Sequence, residues 1–212
     1  MAECLDFIFV QHFWLALDAV ILFAVGLFAA VPVVRYGMEA VKWLPLKVFR
    51  LVVRLMGERG IVRTALVIGT FNSVAIFVYM VSGFHPLFPK IFGVWTGLNI
   101  AVLTAGVDKE KDPVLSRLTE PPEGGWRPSA GLAGLCGLLV LILELPCFWF
   151  ALAMGMRMGH RVQAGASYAE ELSRRGTAYV TVIVPLLLVS AVAEAIAIRG
   201  APRREEPENA PE

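Results

Sequence analysis

The chain has 212 residues, 57% of them hydrophobic, and a formal net charge of +1. A soluble domain of this size is roughly 45–50% apolar, so the excess and a mean hydropathy of +0.67 point to membrane-spanning segments. A near-neutral charge predicts no nucleic-acid partner. Three cysteines (Cys4, Cys136, Cys147) without a CxxC or Cys/His cluster predict neither a disulfide framework nor a metal site.

The elements in chain order define an all-α, polytopic helical membrane protein with about five transmembrane helices. The first apolar run, about Trp14 to Val34, carries Asp18 near its start and is bracketed by Trp14 and Tyr36, as interfacial aromatics would be. The extreme N-terminus is acidic (Glu3, Asp6) and no small-residue cleavage site follows the run. It is therefore expected to stay as an anchor. Residues 35–63 form a basic segment interrupted by Pro45, Gly57 and Gly60. Pro45 suits the first turn of a helix and Gly57 its end. Lys47, Arg50 and Arg54 recur at helical spacing among apolar residues. This pattern predicts an amphipathic helix in the headgroup region of an anionic leaflet. The alternative is a core helix with three snorkelling side chains.

A second span is predicted over Thr64 to Phe84, with Asn72 and Ser73 inside it. A third covers Leu87 to Val107, with Trp95, Thr96 and Asn99. Residues 108–129 are charged and rich in Pro and Gly, and read as a loop. The run Ala130 to Met158 is long for one span: as a straight helix it would measure about 43 Å, against about 30 Å of hydrocarbon. Pro146 near its middle predicts a helix break, so the fourth segment is either bent or a re-entrant hairpin. On a continuous helix, Cys136 and Cys147 stand about 16 Å apart. On a hairpin they come within crosslinking reach. Ser167-Tyr168-Ala169-Glu170 fits a capping box. Glu170/Arg174 and Glu171/Arg175 are spaced as helical ion pairs. The last span, about Thr177 to Ile198, contains Pro185, a second predicted break, and Glu194. Residues 1–198 thus read as one helical membrane domain, and 199–212 as a charged, disordered tail.

Seven Lys/Arg in residues 35–63 place that segment in the cytoplasm and the N-terminus outside. Loop 108–129 then returns to the cytoplasm, and its Lys109, Lys111, Arg117 and Arg127 agree. A single fourth crossing would put Arg157, Arg161, Arg174 and Arg175 outside, against the rule. A hairpin would keep them inside.

Charged and polar residues inside the spans are the functional candidates, because a carboxylate at the centre of a helix in lipid costs roughly 2.5–3.5 kcal/mol. Asp18, Asn72, Ser73, Asn99, Glu144 and Glu194 form the predicted intramembrane polar network. Three roles are open to the acids: protonated locks bonded across helices, a proton or cation path, or a partner contact in the membrane. Gly131, Gly134, Gly137, Gly155 and Gly159 are predicted helix-packing positions. The sequence has no HExxH, GxSxG or P-loop. His12, His85 and His160 fall at segment ends and share no ligand spacing. No catalytic residue, metal or cofactor is predicted.

Glu144-Leu145-Pro146, then Gly155-Met156-Arg157-Met158-Gly159, then Val184-Pro185-Leu186-Leu187-Leu188 with Ala193-Glu194-Ala195, form an ordered series of short motifs. With Asn72-Ser73 and Gly97-Leu98-Asn99 upstream, the series resembles the stage II sporulation protein M family over about residues 60–198. The family often has His-Gly four and three residues before the glutamate; here Val140 and Leu141 stand there. The resemblance implies a non-enzymatic, multi-pass scaffold or partner-binding subunit of the cytoplasmic membrane. It would be linked to cell-envelope or peptidoglycan remodelling, with a membrane or envelope protein, or a second copy of the chain, as partner. The competing expectation is a transporter or permease-like subunit that uses Glu144 and Glu194.

Overall fold

The computed structural model describes residues 10–57, 60–105 and 128–199. Helix α1 is Phe13–Arg35, α2 Glu39–Met56, α3 Ile61–Val81, α4 Leu87–Ala105, α5 Ala130–Gln163, α6 Tyr168–Ala178 and α7 Val184–Arg199. A short 3₁₀ turn, Ser82–Phe84, joins α3 to α4, and one π-helical turn, Tyr179–Ile183, joins α6 to α7 without a break. Among the described residues there is no strand. Five helical rods are long and apolar enough to cross a membrane: α1, α3 with its 3₁₀ turn, α4, α5, and α6 continued through α7. Their outward residues are large and apolar, among them Ile21, Phe28, Leu66, Val74, Leu135, Ile142 and Val189. Such a belt fits hydrocarbon, and is far larger than the apolar patches of soluble monomers.

Helix α5 runs unbroken through Pro146 for 34 residues. That is about 51 Å of helix, so it crosses once and overhangs. The re-entrant hairpin and the break at Pro146 are not what forms. The proline removes one backbone bond, to the Ile142 carbonyl, but the helix beyond it is the centre of the bundle. Ala151, Leu152, Ala153, Met154 and Met156 are all fully buried, so packing holds the axis on the far side of the proline. Small alanines let neighbours approach, and unbranched methionines fill the irregular gaps left between them. Phe148 sits edge-on to Tyr79 of α3 and Phe23 of α1, with centroids 5.4 and 5.9 Å apart. Pro185 is likewise accommodated: its missing N–H follows directly on the π turn, which re-pairs the backbone with a wider step.

Helices α1 and α4 run side by side in the same direction and cross at glycine. A methyl group on Gly97 would land on the Phe23 carbonyl oxygen, and one on Gly26 on that of Val94. Of the predicted packing glycines, Gly155 and Gly159 of α5 do lie tight against Tyr79, Gly83 and Pro86 at the α3–α4 connection. Gly131, Gly134 and Gly137 instead face open space.

Helix α2 lies across one end of the bundle. Near its start, Val41 packs on Ala30, Val33 and Val102 of α1 and α4. Near its finish, Val52, Val53 and Met56 pack on Ile68 of α3 and Ala191 of α7. The helix starts six residues before Pro45, which is therefore an interior position and not the first turn. Gly57 ends it at a φ of 59°, where a side chain would be strained. Arg63 of α3 donates to the Leu55 carbonyl at 3.1 Å and satisfies one of the last-turn acceptors of α2.

At the opposite end the chain gathers the start of α1, the α3–α4 connection and the α5–α6 turn. Arg157 donates to the Gln11 carbonyl and the Tyr168 hydroxyl to the Val81 carbonyl at 2.7 Å. The predicted capping box at Ser167 does not close: α6 begins there without a side-chain cap, while Glu171 and Arg175 are buried. Ser129 does cap α5, its hydroxyl accepting from Leu132 N–H at 3.3 Å. Most of the predicted loop 108–129 and nearly all of the tail 199–212 lie outside the described residues.

Gly97→Leu is expected to destabilise the α1–α4 crossing by about 1–3 kcal/mol, as overpacking does. Thermal unfolding in mild detergent measures it, and an unchanged melting temperature would contradict the crossing.

Candidate functional site

Three helices converge on Glu144. Asn72 of α3 donates from Nδ2 to Glu144 Oε1 at 3.1 Å, and Ser190 of α7 donates from Oγ to Oε2 at 3.4 Å. Both carboxyl oxygens thus accept a hydrogen bond from a different helix. Asn72 is 11 residues into α3, Glu144 14 residues into α5 and Ser190 nine residues from the end of α7. At 1.5 Å per residue each lies roughly 14–21 Å from the α2 end, near mid-depth. Glu194, one turn beyond Ser190 toward the α2 end, is close enough to Glu144 for their charges to interact. The packing that makes this approach possible is small against small: a Cβ on Gly69 would lie 3.2 Å from the Ala191 Cβ.

The other predicted network members separate. Ser73 takes part through its backbone, whose carbonyl accepts from the Tyr179 hydroxyl. That bond ties α3 to the π turn. Thr96 of α4 donates to the Tyr79 hydroxyl at 3.1 Å. Asn99, three residues further along α4, has its Oδ1 buried with no hydrogen-bond partner among the described residues. Asp18 is exposed on the outer side of α1 and does not join the Glu144 cluster. Its position one turn after Trp14 placed it in an apolar run, but the helical phase turns it away from the buried stripe of Ala16, Ala19 and Phe23.

A second polar cluster, at the end opposite α2, was only half legible in the sequence. The spacing of Glu171 and Arg175 predicts a surface pair, yet Arg175 is 2% exposed and ion-paired to Glu171. Glu171 also accepts from Arg161 Nε at 3.1 Å, so one buried carboxylate bridges α5 and α6. Of the four arginines that argued against a single fourth crossing, only Arg175 is buried; Arg157 reaches a carbonyl, Arg161 pairs with Glu171 while its side chain stays 60% exposed, and Arg174 is exposed. Among the described residues no three His, Cys, Asp or Glu side chains gather as a metal site needs. Cys136 and Cys147 are both buried and free.

At the α2 end, Lys47, Arg50 and Arg54 are all exposed. The Lys47 ammonium sits 4.6 Å from the Trp43 ring centroid.

Fold and site together define a multi-pass α-helical membrane protein with a hydrogen-bonded carboxyl group in its interior. No family model, curated protein or solved structure matches the chain.

Two substitutions separate the clusters. Asn72→Ala is expected to cost about 0.6–1.7 kcal/mol, the range of interhelical hydrogen bonds in membranes. Glu171→Ala is expected to cost about 3–5 kcal/mol, because it leaves Arg175 buried without a counter-charge. Urea or thermal unfolding of the purified variants reads both, and equal losses would refute the distinction.

Proposed function

We propose that the protein is a non-enzymatic scaffold or partner-binding subunit of the cytoplasmic membrane, with α2 on the cytoplasmic side. The observation that carries this reading is that both oxygens of Glu144 are occupied by donors on α3 and α7. An acid held this way ties three helices together, and a neutral carboxyl group or an amide does the same work. The resemblance to the stage II sporulation protein M family is the source for a partner in the cell envelope, and for a link to peptidoglycan remodelling. Seven Lys/Arg in residues 35–63 support the orientation.

A transport role is the second reading, favoured by the nearness of Glu194 to Glu144 along a line toward the α2 end. The two separate on one substitution. As a tie, Glu144→Gln keeps melting temperature, co-purifying partners and cellular function. As a proton carrier, the same variant folds but is inactive. Native pull-down of tagged wild-type protein in mild detergent, with partners identified by mass spectrometry, is expected to return an envelope protein in stoichiometric amount. Recovery of the chain alone, with Glu144→Gln inactive, would sink the scaffold reading.

A further inference from the structure

Helix α2 turns three faces to three surroundings. Val52, Val53 and Met56 are buried against Ile68 and Ala191, with Ile198 beside them. Lys47, Arg50 and Arg54 are exposed and, at 100° per residue, fall within about 60° of one another. Leu44, Leu51 and Leu55 are also exposed, and form a stripe about 90° further round. Trp43 lies within the basic stripe, its ring under the Lys47 ammonium. A helix that only packed on the bundle would need neither exposed stripe. A helix in bulk water would not carry an exposed leucine row and an exposed tryptophan.

We propose that α2 is a binding surface for anionic phospholipid headgroups, and that this binding clamps α3 against α7 beside the Glu144 cluster. Guanidinium and ammonium groups donate to phosphate oxygens in charge-assisted hydrogen bonds. The leucine stripe enters the acyl boundary and Trp43 holds the depth between them. The third face supplies the coupling. Ile68 is one helical turn before Asn72, and Ala191 follows Ser190, the two donors to Glu144. Anchoring Val52, Val53 and Met56 on those two residues limits how far α3 and α7 separate. Lipid that binds the folded arrangement stabilises it by mass action. The inference stands whether Glu144 acts as a tie or a proton carrier.

The test uses the full chain in nanodiscs of phosphatidylcholine alone or mixed with phosphatidylglycerol. Phosphatidylglycerol is expected to raise the melting temperature of the wild type by at least ~2 °C, less at high salt, and to slow hydrogen exchange in α3 around Asn72. The combined Lys47→Gln, Arg50→Gln, Arg54→Gln variant is expected to lose both effects while melting like the wild type in phosphatidylcholine. Should the triple variant fail to fold, Arg54→Gln alone is expected to lower phosphatidylglycerol retention in native mass spectrometry. An equal shift in the variant, no shift in the wild type, or a shift lost only on Arg161→Gln at the other end overturns the proposal. Headgroup binding without slower exchange in α3 overturns the clamp.

Discussion

The hydrogen bonds from Asn72 and Ser190 to Glu144 constrain three helices at once. In hydrocarbon a carboxyl group has no water to fall back on, so its partners must come from neighbouring helices. That requirement sets the rotation of α3, α5 and α7 about their axes and their relative height. Small residues then decide how close they come, as at Gly69 against Ala191. Below this layer lies Glu194. Toward the other end, Tyr79, Thr96 and Phe148 continue the packing with a hydroxyl pair and an edge-to-face ring contact.

The remaining helices are placed by shape. Helices α1 and α4 approach backbone to backbone at Gly26 and Gly97. They join the bundle through the aromatic contacts of Phe23 with Phe148 and of Tyr79 with Phe92. Because lipid is as apolar as these side chains, close contact and hydrogen bonds hold such a bundle, with burial from water contributing little between helices already in the membrane. The fully buried stretch Ala151–Met156 is where most of those contacts meet.

The two ends are closed by different devices. At one, α2 spans from the α1–α4 pair to the α3–α7 pair and presents cations outward. At the other, Glu171 draws Arg161 and Arg175 together, and Arg157 ties α5 to the chain before α1. Of the arginines at this end, Arg175 is buried, whereas Arg161 and Arg174 are exposed.

Sequence alone was enough for the all-α class, five apolar spans, the basic amphipathic helix and the singling out of Glu144 as a polar residue within a span, because hydropathy, helical period and the expense of a buried acid are local properties. Asn72 was legible as a polar residue in a span, but Ser190 was not, since a serine in a helix usually bonds its own backbone. Asp18 and Glu144 look alike in sequence; only the helical phase against neighbours turned one outward and the other into the bundle. The tertiary structure also decided that α5 passes Pro146 unbroken, since the packing of residues 147–159 outweighs one lost backbone bond. It decided that Arg175 is interior, and that α2 straps the bundle end. These outcomes depend on which helices face each other, and a single chain's periodicity carries no information about that.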